Sequence, residues 1–443
     1  MFEKEEKQLQ ELGEHYNEMK IPDEIDEYIL KGMTQAKKKK QSRKRFMVGA
    51  FAATLFIAFF LTSIRVSPTF ANYVSHIPGL EKIVELVRFD KGLLSAIDND
   101  LMQEINVSDK HEGLEITVDA VIVDEQKMVL FYSLESDRNR EQEYLSLVNV
   151  SFGEKLPLAG ITYGSIHENL KKGVPVSGSI DFYFDGDIPE QLTLSLGIET
   201  GESEKLASTW TLPFSIDKVK FAGLKEEIQL NETVEVEGQK ITFEKMTILP
   251  TRVAVHVKYD ENNSKELFTF EDLRLVDETG EQWSGIANGI TAQHISENEK
   301  ILYLQSNYFN QPEELYLVFS SIRALDKDEL EVVVDLENKM IIKAPADGLL
   351  TNDVEKSGAN LVFWLSLTEE DDPHRGYSLF DHEYKDSEGT VFHSNTSSSG
   401  TNHEENTQRN GFVLEQANHS SPITLTIQDY PARIKKDVRI QVK

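Results

Sequence analysis

The residues best suited to chemistry lie toward the C-terminal end. His374, His382, His393 and His403 stand among Asp371, Asp372, Asp381 and Glu383. Imidazole and carboxylate together make a common metal-ligand set, but a metal needs them at fixed geometry. Here the segment that follows His393 and holds His403, SNTSSSGTNHEENTQRNG from Ser394 to Gly411, is a polar, low-complexity run that reads as a mobile loop. The expectation is solvated side chains and no metal. Asp260-Glu261-Asn262 opens like a calcium loop, yet no glycine follows at the sixth position. The chain has no cysteine, which removes thiol nucleophiles, disulfides, cysteine zinc sites and iron–sulfur clusters together. Gly-x-Ser-x-Gly, phosphate-cradling glycine loops and His-Glu-x-x-His are absent as well. Acidic pairs occur everywhere in a chain of net charge −30, so they carry no information about acid–base work. We therefore expect no catalytic residues, no cofactor and no enzyme activity. Trp210, Trp283 and Trp364 sit on or beside apolar alternating runs, where core packing is the default.

The segment that organises the chain is Phe46–Ile64, FMVGAFAATLFIAFFLTSI, nineteen residues without a charge. As a helix it would be about 28 Å long, close to the ~30 Å hydrocarbon core of a bilayer. Lys37, Lys38, Lys39, Lys40, Arg43, Lys44 and Arg45 precede it. By the positive-inside rule that side is cytoplasmic, and residues from about 66 onward are extracellular. A cleaved leader is the alternative, but 45 residues before the apolar run are too many for its n-region. Residues 1–36 hold ten acids and four bases, the basic run seven bases, and Arg65 one more. The remainder, from residue 66, thus carries −32. Such a field argues against nucleic acid and anionic membrane surfaces as direct partners. An exported region of this size without disulfides holds itself by packing alone, a usage that fits a Gram-positive surface.

Before the anchor, Leu9, Leu12, Tyr16 and Met19 recur at helical spacing, as do Ile25, Tyr28, Ile29 and Met33 after Pro22. Two such short helices cannot bury both stripes on each other, so the stripes are expected to lie in a partner's groove. After the anchor, residues 66–107 read as a helical neck, with Leu80, Ile83, Val84 and Val87, then Leu93, Leu94, Ile97 and Leu101, at helical intervals. From Leu114 the period becomes two. Short strands with turn signals between them predict antiparallel immunoglobulin-like β-sandwiches. Three units are expected: 108–217, 218–345 and 346–443. The third reads as a repeat of the second, because LVFSSIRALDKDELEVVV parallels LTIQDYPARIKKDVRIQV.

Three stretches carry a resemblance to a known family: IPDEIDEYILKGMTQAKKKK before the anchor, SPTFANYVSHIPGLEKIVELVRFDKGL after it, and LEITVDAVIVDEQKMVLFYSL. Over residues 21–345 the chain resembles membrane-bound regulators of extracytoplasmic-function (ECF) sigma factors in Firmicutes. The resemblance implies a cytoplasmic segment that holds a sigma factor at the membrane and an ectodomain that receives an envelope signal. An envelope protease or a wall ligand would be its outside partner. The chain departs from zinc-type anti-sigma factors, since it lacks their His-x-x-x-Cys-x-x-Cys motif. The alternative is a surface adhesive or scaffolding protein with tandem sandwiches and no regulatory role.

Overall fold

The computed structural model describes residues 80–443 except 141–144, 153–157, 165–169, 201–205, 286–289, 347–349, 358–359, 369–377, 395–396, 403–406 and 415–418. The expected cytoplasmic helices, the basic run, Phe46–Ile64 and the first part of the neck lie outside the described residues. Among the described residues no helix is long and apolar enough to cross a membrane. Residues 77–443 form one compact unit, mainly antiparallel β.

The unit opens with two short helices, α1 (Leu80–Val87) and α2 (Lys91–Asp98). Asp90 caps α2 by accepting a hydrogen bond from the Leu93 amide at 3.0 Å. Ile83 and Val87 are buried on α1, and Leu93, Ala96 and Ile97 on α2. Eight residues make a marginal helix alone, so these faces persist because they pack on the sheets.

The first sandwich contains β1 (Gln103–His111), β2 (Leu114–Val123), β3 (Lys127–Ser136), β4 (Leu145–Phe152), β5 (Leu158–Tyr163), β6 (Val176–Phe184), β7 (Gln191–Thr200) and β8 (Trp210–Ser215). One sheet runs β1-β2-β3-β6-β5 and the other β4-β7-β8. Leu114, Ile116 and Val118 are fully buried at every second position, as the alternation predicts. Phe152 of one sheet meets Phe182 of the other at 4.7 Å between ring centroids. Trp210 closes this core, its indole N–H donating to Leu114 O at 3.2 Å. The strand β1 begins at Gln103, inside the stretch expected to be neck. It sits at a sheet edge with its residues only half covered, so its apolar signal is weak.

A short helix, α3 (Lys218–Phe221), leads to β9 (Glu226–Val236), β10 (Gln239–Ile248), β11 (Val253–Tyr259), β12 (Lys265–Phe270), β13 (Arg274–Asp277), β14 (Gln282–Trp283), β15 (Thr291–Ser296), β16 (Glu299–Leu304) and β17 (Leu315–Asp326). Then follow β18 (Glu331–Asp335), β19 (Met340–Lys343), β20 (Leu350–Ser357), β21 (Asn360–Thr368), β22 (Phe380–Lys385), β23 (Val391–His393), β24 (Ser397–Asn402), β25 (Thr407–Leu414), β26 (Ile423–Ile427) and β27 (Arg433–Gln441). The second sandwich faces β15-β16-β11-β10-β9 against β12-β17-β13-β14. The third faces β19-β18-β26-β22-β23 against β20-β21-β25-β24. The run expected to be a mobile loop instead supplies β24 and β25, whose backbones pair from Ser397↔Phe412 to Asn402↔Thr407. A ladder is made by main-chain groups, so a polar composition does not forbid it.

The boundary expected at 345/346 does not divide the two sandwiches. The last strand, β27, pairs with β17 and puts Ile434, Val438, Ile440 and Val442 into the second core. In return β18 pairs with β26 and puts Val332 and Val334 into the third. The two ladders have equivalent registers: Leu317↔Ile440 in one corresponds to Leu425↔Val332 in the other. The repeats parallel in sequence thus exchange their closing strands. At the crossing, the Ala324 amide donates to Ala432 O at 2.8 Å. Arg323 pairs with Asp429 and Arg433 with Glu271, both at 2.9 Å.

Candidate functional site

The connection from β10 to β11, Leu249-Pro250-Thr251-Arg252, is buried throughout, although hairpin tips usually face solvent. Its Leu249 amide donates to Arg252 O at 2.9 Å. What covers it is the β2–β3 turn of the first sandwich. There Asp124 accepts from the amides of Gln126 and Lys127, at 3.0 and 2.8 Å, and from the Thr251 hydroxyl. Two hairpin tips therefore meet end to end.

Beside this junction a cleft of about 290 Å³ opens between the sandwiches. Its walls include Gln126, Gly160, Thr162 and Tyr183 from the first and Arg252, Ala292, Gln293 and Tyr303 from the second. Arg252 is only 6 % exposed. Its guanidinium carbon lies 4.1 Å from the Tyr303 ring centroid and 5.4 Å from that of Tyr183. Stacking of this kind suits the weakly hydrated, planar guanidinium. Yet its Nε has no hydrogen-bond partner, and among the described residues no carboxylate forms an ion pair with it. The neighbouring cation differs. Lys127 is held by Asp181 at 2.8 Å, and that carboxylate keeps its pKa above the ordinary value although burial pushes it down. Burial raises the pKa of Tyr303 and Tyr183, while Arg252 pulls both back. Tyr303 donates to Gln293 at 2.8 Å and Tyr183 to Asp181 at 3.4 Å.

The same junction receives the neck. Gly92 of α2 lies so close to Ser306 that an added Cβ would stand 2.7 Å from the Ser306 Cβ and amide nitrogen. Gln305 donates to Phe89 O at 2.9 Å, and Lys91 Nζ to Gln282 O at 2.8 Å. Ser306 in turn donates from its hydroxyl to Leu249 O, in the Arg252 turn.

The sequence-predicted residues fall elsewhere. Leu9, Leu12, Tyr16, Met19, Ile25, Tyr28, Ile29 and Met33, with Lys37–Lys40 and Arg43–Arg45, lie outside the described residues. So do His374 and His403, while His393 pairs with Glu383 at 2.9 Å on the exposed β22–β23 hairpin. No group of three or more metal-type side chains is present among the described residues. Asp260 caps its own turn, accepting from the Asn262 amide at 2.9 Å. Trp210 and Trp283 are core residues; Trp364 is half-buried. Sequence reasoning missed Arg252, and the only signal was a lone arginine after Pro-Thr between two strongly apolar strands.

Residues 41–136 match the model described as "Domain of unknown function (DUF4179)", and residues 225–344 match "Family of unknown function (DUF5643)". The second match takes in β18 and β19 but not β27, so it follows the chain and not the exchanged sandwich. No curated protein matches. Among solved structures, "The crystal structure of the conserved domain protein from Bacillus anthracis" is 16 % identical over 55 % of this chain and 84 % of that one. Its TM-score is 0.37, a likeness that carries no argument about fold or function. Each matched segment is thus similar to a domain whose function is unknown.

Proposed function

We propose that the chain is a single-pass membrane regulator that holds an ECF sigma factor through its N-terminal stripes and senses envelope conditions with its ectodomain. The observation that supports this reading is the seating of the neck. The segment that follows Phe46–Ile64 in sequence is wedged by Gly92 against Ser306 and tied to Gln305. A change at the junction of the first two sandwiches therefore bears directly on the chain leading to the anchor, which an adhesive module would not need. The matched segment 41–136 spans the end of the basic run (Arg43, Lys44 and Arg45), the apolar stretch, neck and first strands as one sequence unit, which is consistent with their acting together. Ile25 and Ile29 would press on the sigma factor, and Glu24 and Glu27 would steer it electrostatically. Replacing Ile25 and Ile29 with Asp is expected to raise sigma-dependent transcription. Transcription that stays basal in this variant, at normal membrane levels of the protein, overturns the proposal.

A further inference from the structure

We infer that the cleft between the first two sandwiches binds the C-terminal end of an extended peptide, with its carboxylate on Arg252. Arg252 has nearly all its surface buried, a buried Nε with no hydrogen-bond partner and no carboxylate in ion-pair contact among the described residues; Asp124 and Arg252 both act on the Tyr303 hydroxyl, and an anion in the cleft would supply the direct partner that Nε lacks. The planar fork, fixed between Tyr183 and Tyr303, suits a carboxylate's two oxygens.

The strands around it point to a peptide in particular. Both β5 and β15 line the cleft, and among the described residues each is the edge strand of its sheet. An edge offers main-chain donors and acceptors that an extended peptide can pair with, as in β-augmentation. Tyr163 on β5 and Ile295 on β15 are large hydrophobic side chains left exposed on those edges, surfaces that a peptide's side chains would cover. The side-chain amides of Gln126 and Gln293 add partners for peptide groups. Asp185 on the same wall disfavours a second negative charge, so the ligand carries one carboxylate and is not a polyanion. The cleft's volume accommodates the terminal two or so residues, at the lower end of small-ligand sites.

This goes beyond the regulatory reading and does not depend on it, because binding is measured on the chain itself. The test is calorimetric titration of the full chain in detergent micelles with N-acetyl-alanyl-alanine and, separately, with its C-terminal amide. The acid is expected to bind at least about tenfold tighter than the amide, the scale of one charged hydrogen-bonded pair. Arg252→Gln should abolish that preference. Equal binding of acid and amide, or no binding of either, overturns the inference. Full displacement of the acid by acetate and phosphate at comparable concentrations overturns it too, since it identifies a plain anion site. The acid–amide comparison uses the unaltered protein, so a folding failure of the Arg252 variant leaves it decisive.

Discussion

Ile440 lies at the far end of the chain from the second sandwich's own strands, yet it is 5 % exposed within that sandwich's core, opposite Leu317. Ile440→Ala removes apolar atoms and leaves a cavity that the surrounding ladder fills only in part. The cost is about 2–4 kcal/mol, a large share of the ~5–15 kcal/mol that holds a domain folded. A chain of three sandwiches need not melt in one step, so the assay needs a local reporter. Trp283 is 1 % exposed in the same core and provides one once Trp210 and Trp364 are replaced by Phe. In urea, the Trp283 transition should move to lower denaturant in Ile440→Ala. Deleting residues 433–443 should abolish it, because Ile434, Val438 and Val442 are lost together. The converse variant, Val332→Ala, should leave the Trp283 transition in place and speed hydrogen exchange of β26. An unmoved Trp283 transition in Ile440→Ala would refute the strand exchange and restore two self-contained tandem units.

Other consequences concern charge and docking. Asp181→Ala leaves the Lys127 ammonium buried without its partner; the expected loss is about 3–5 kcal/mol in the first sandwich, read by chemical denaturation, and Asp181→Asn should recover little of it. Burial raises the pKa of Asp119 from its ordinary 3.8 to about 6, against the Ser133 hydroxyl and the charge of Lys82. Its folded value lies above the unfolded one, so the folded state holds an extra proton between these values. The stability it contributes is full below this window and is lost as pH rises through about 6. Asp119→Asn should lessen the slope of the unfolding midpoint across that window, leaving the slope that Asp90, Asp98, Glu266 and Asp429 contribute, since burial raises these as well; an unchanged slope would refute the assignment. Gly92→Ala drives a methyl into Ser306 and should cost about 1–3 kcal/mol of neck docking, visible as faster exchange of the α2 amides while Trp283 stays buried.

The alternation from Leu114 onward was enough to read an antiparallel β chain, because a half-buried strand must alternate and the main chain leaves few other solutions. The helical stripes of the neck were legible for the same reason, and Leu93 and Ile97 do face the core. The absence of cysteine excluded thiol, disulfide and iron–sulfur chemistry without any geometry. Two matters depended on tertiary structure. Val332 and Val334 are interchangeable in pattern with Ile440 and Val442, so local sequence cannot tell which core each strand enters; the closing strands exchange in the folded chain. Arg252 reads as an ordinary turn residue until the junction brings the Tyr183 and Tyr303 rings to its guanidinium. Only the meeting of two hairpins leaves its Nε buried without a hydrogen bond and opens a cleft beside it, because desolvation is a property of the assembled junction and not of the residues taken singly.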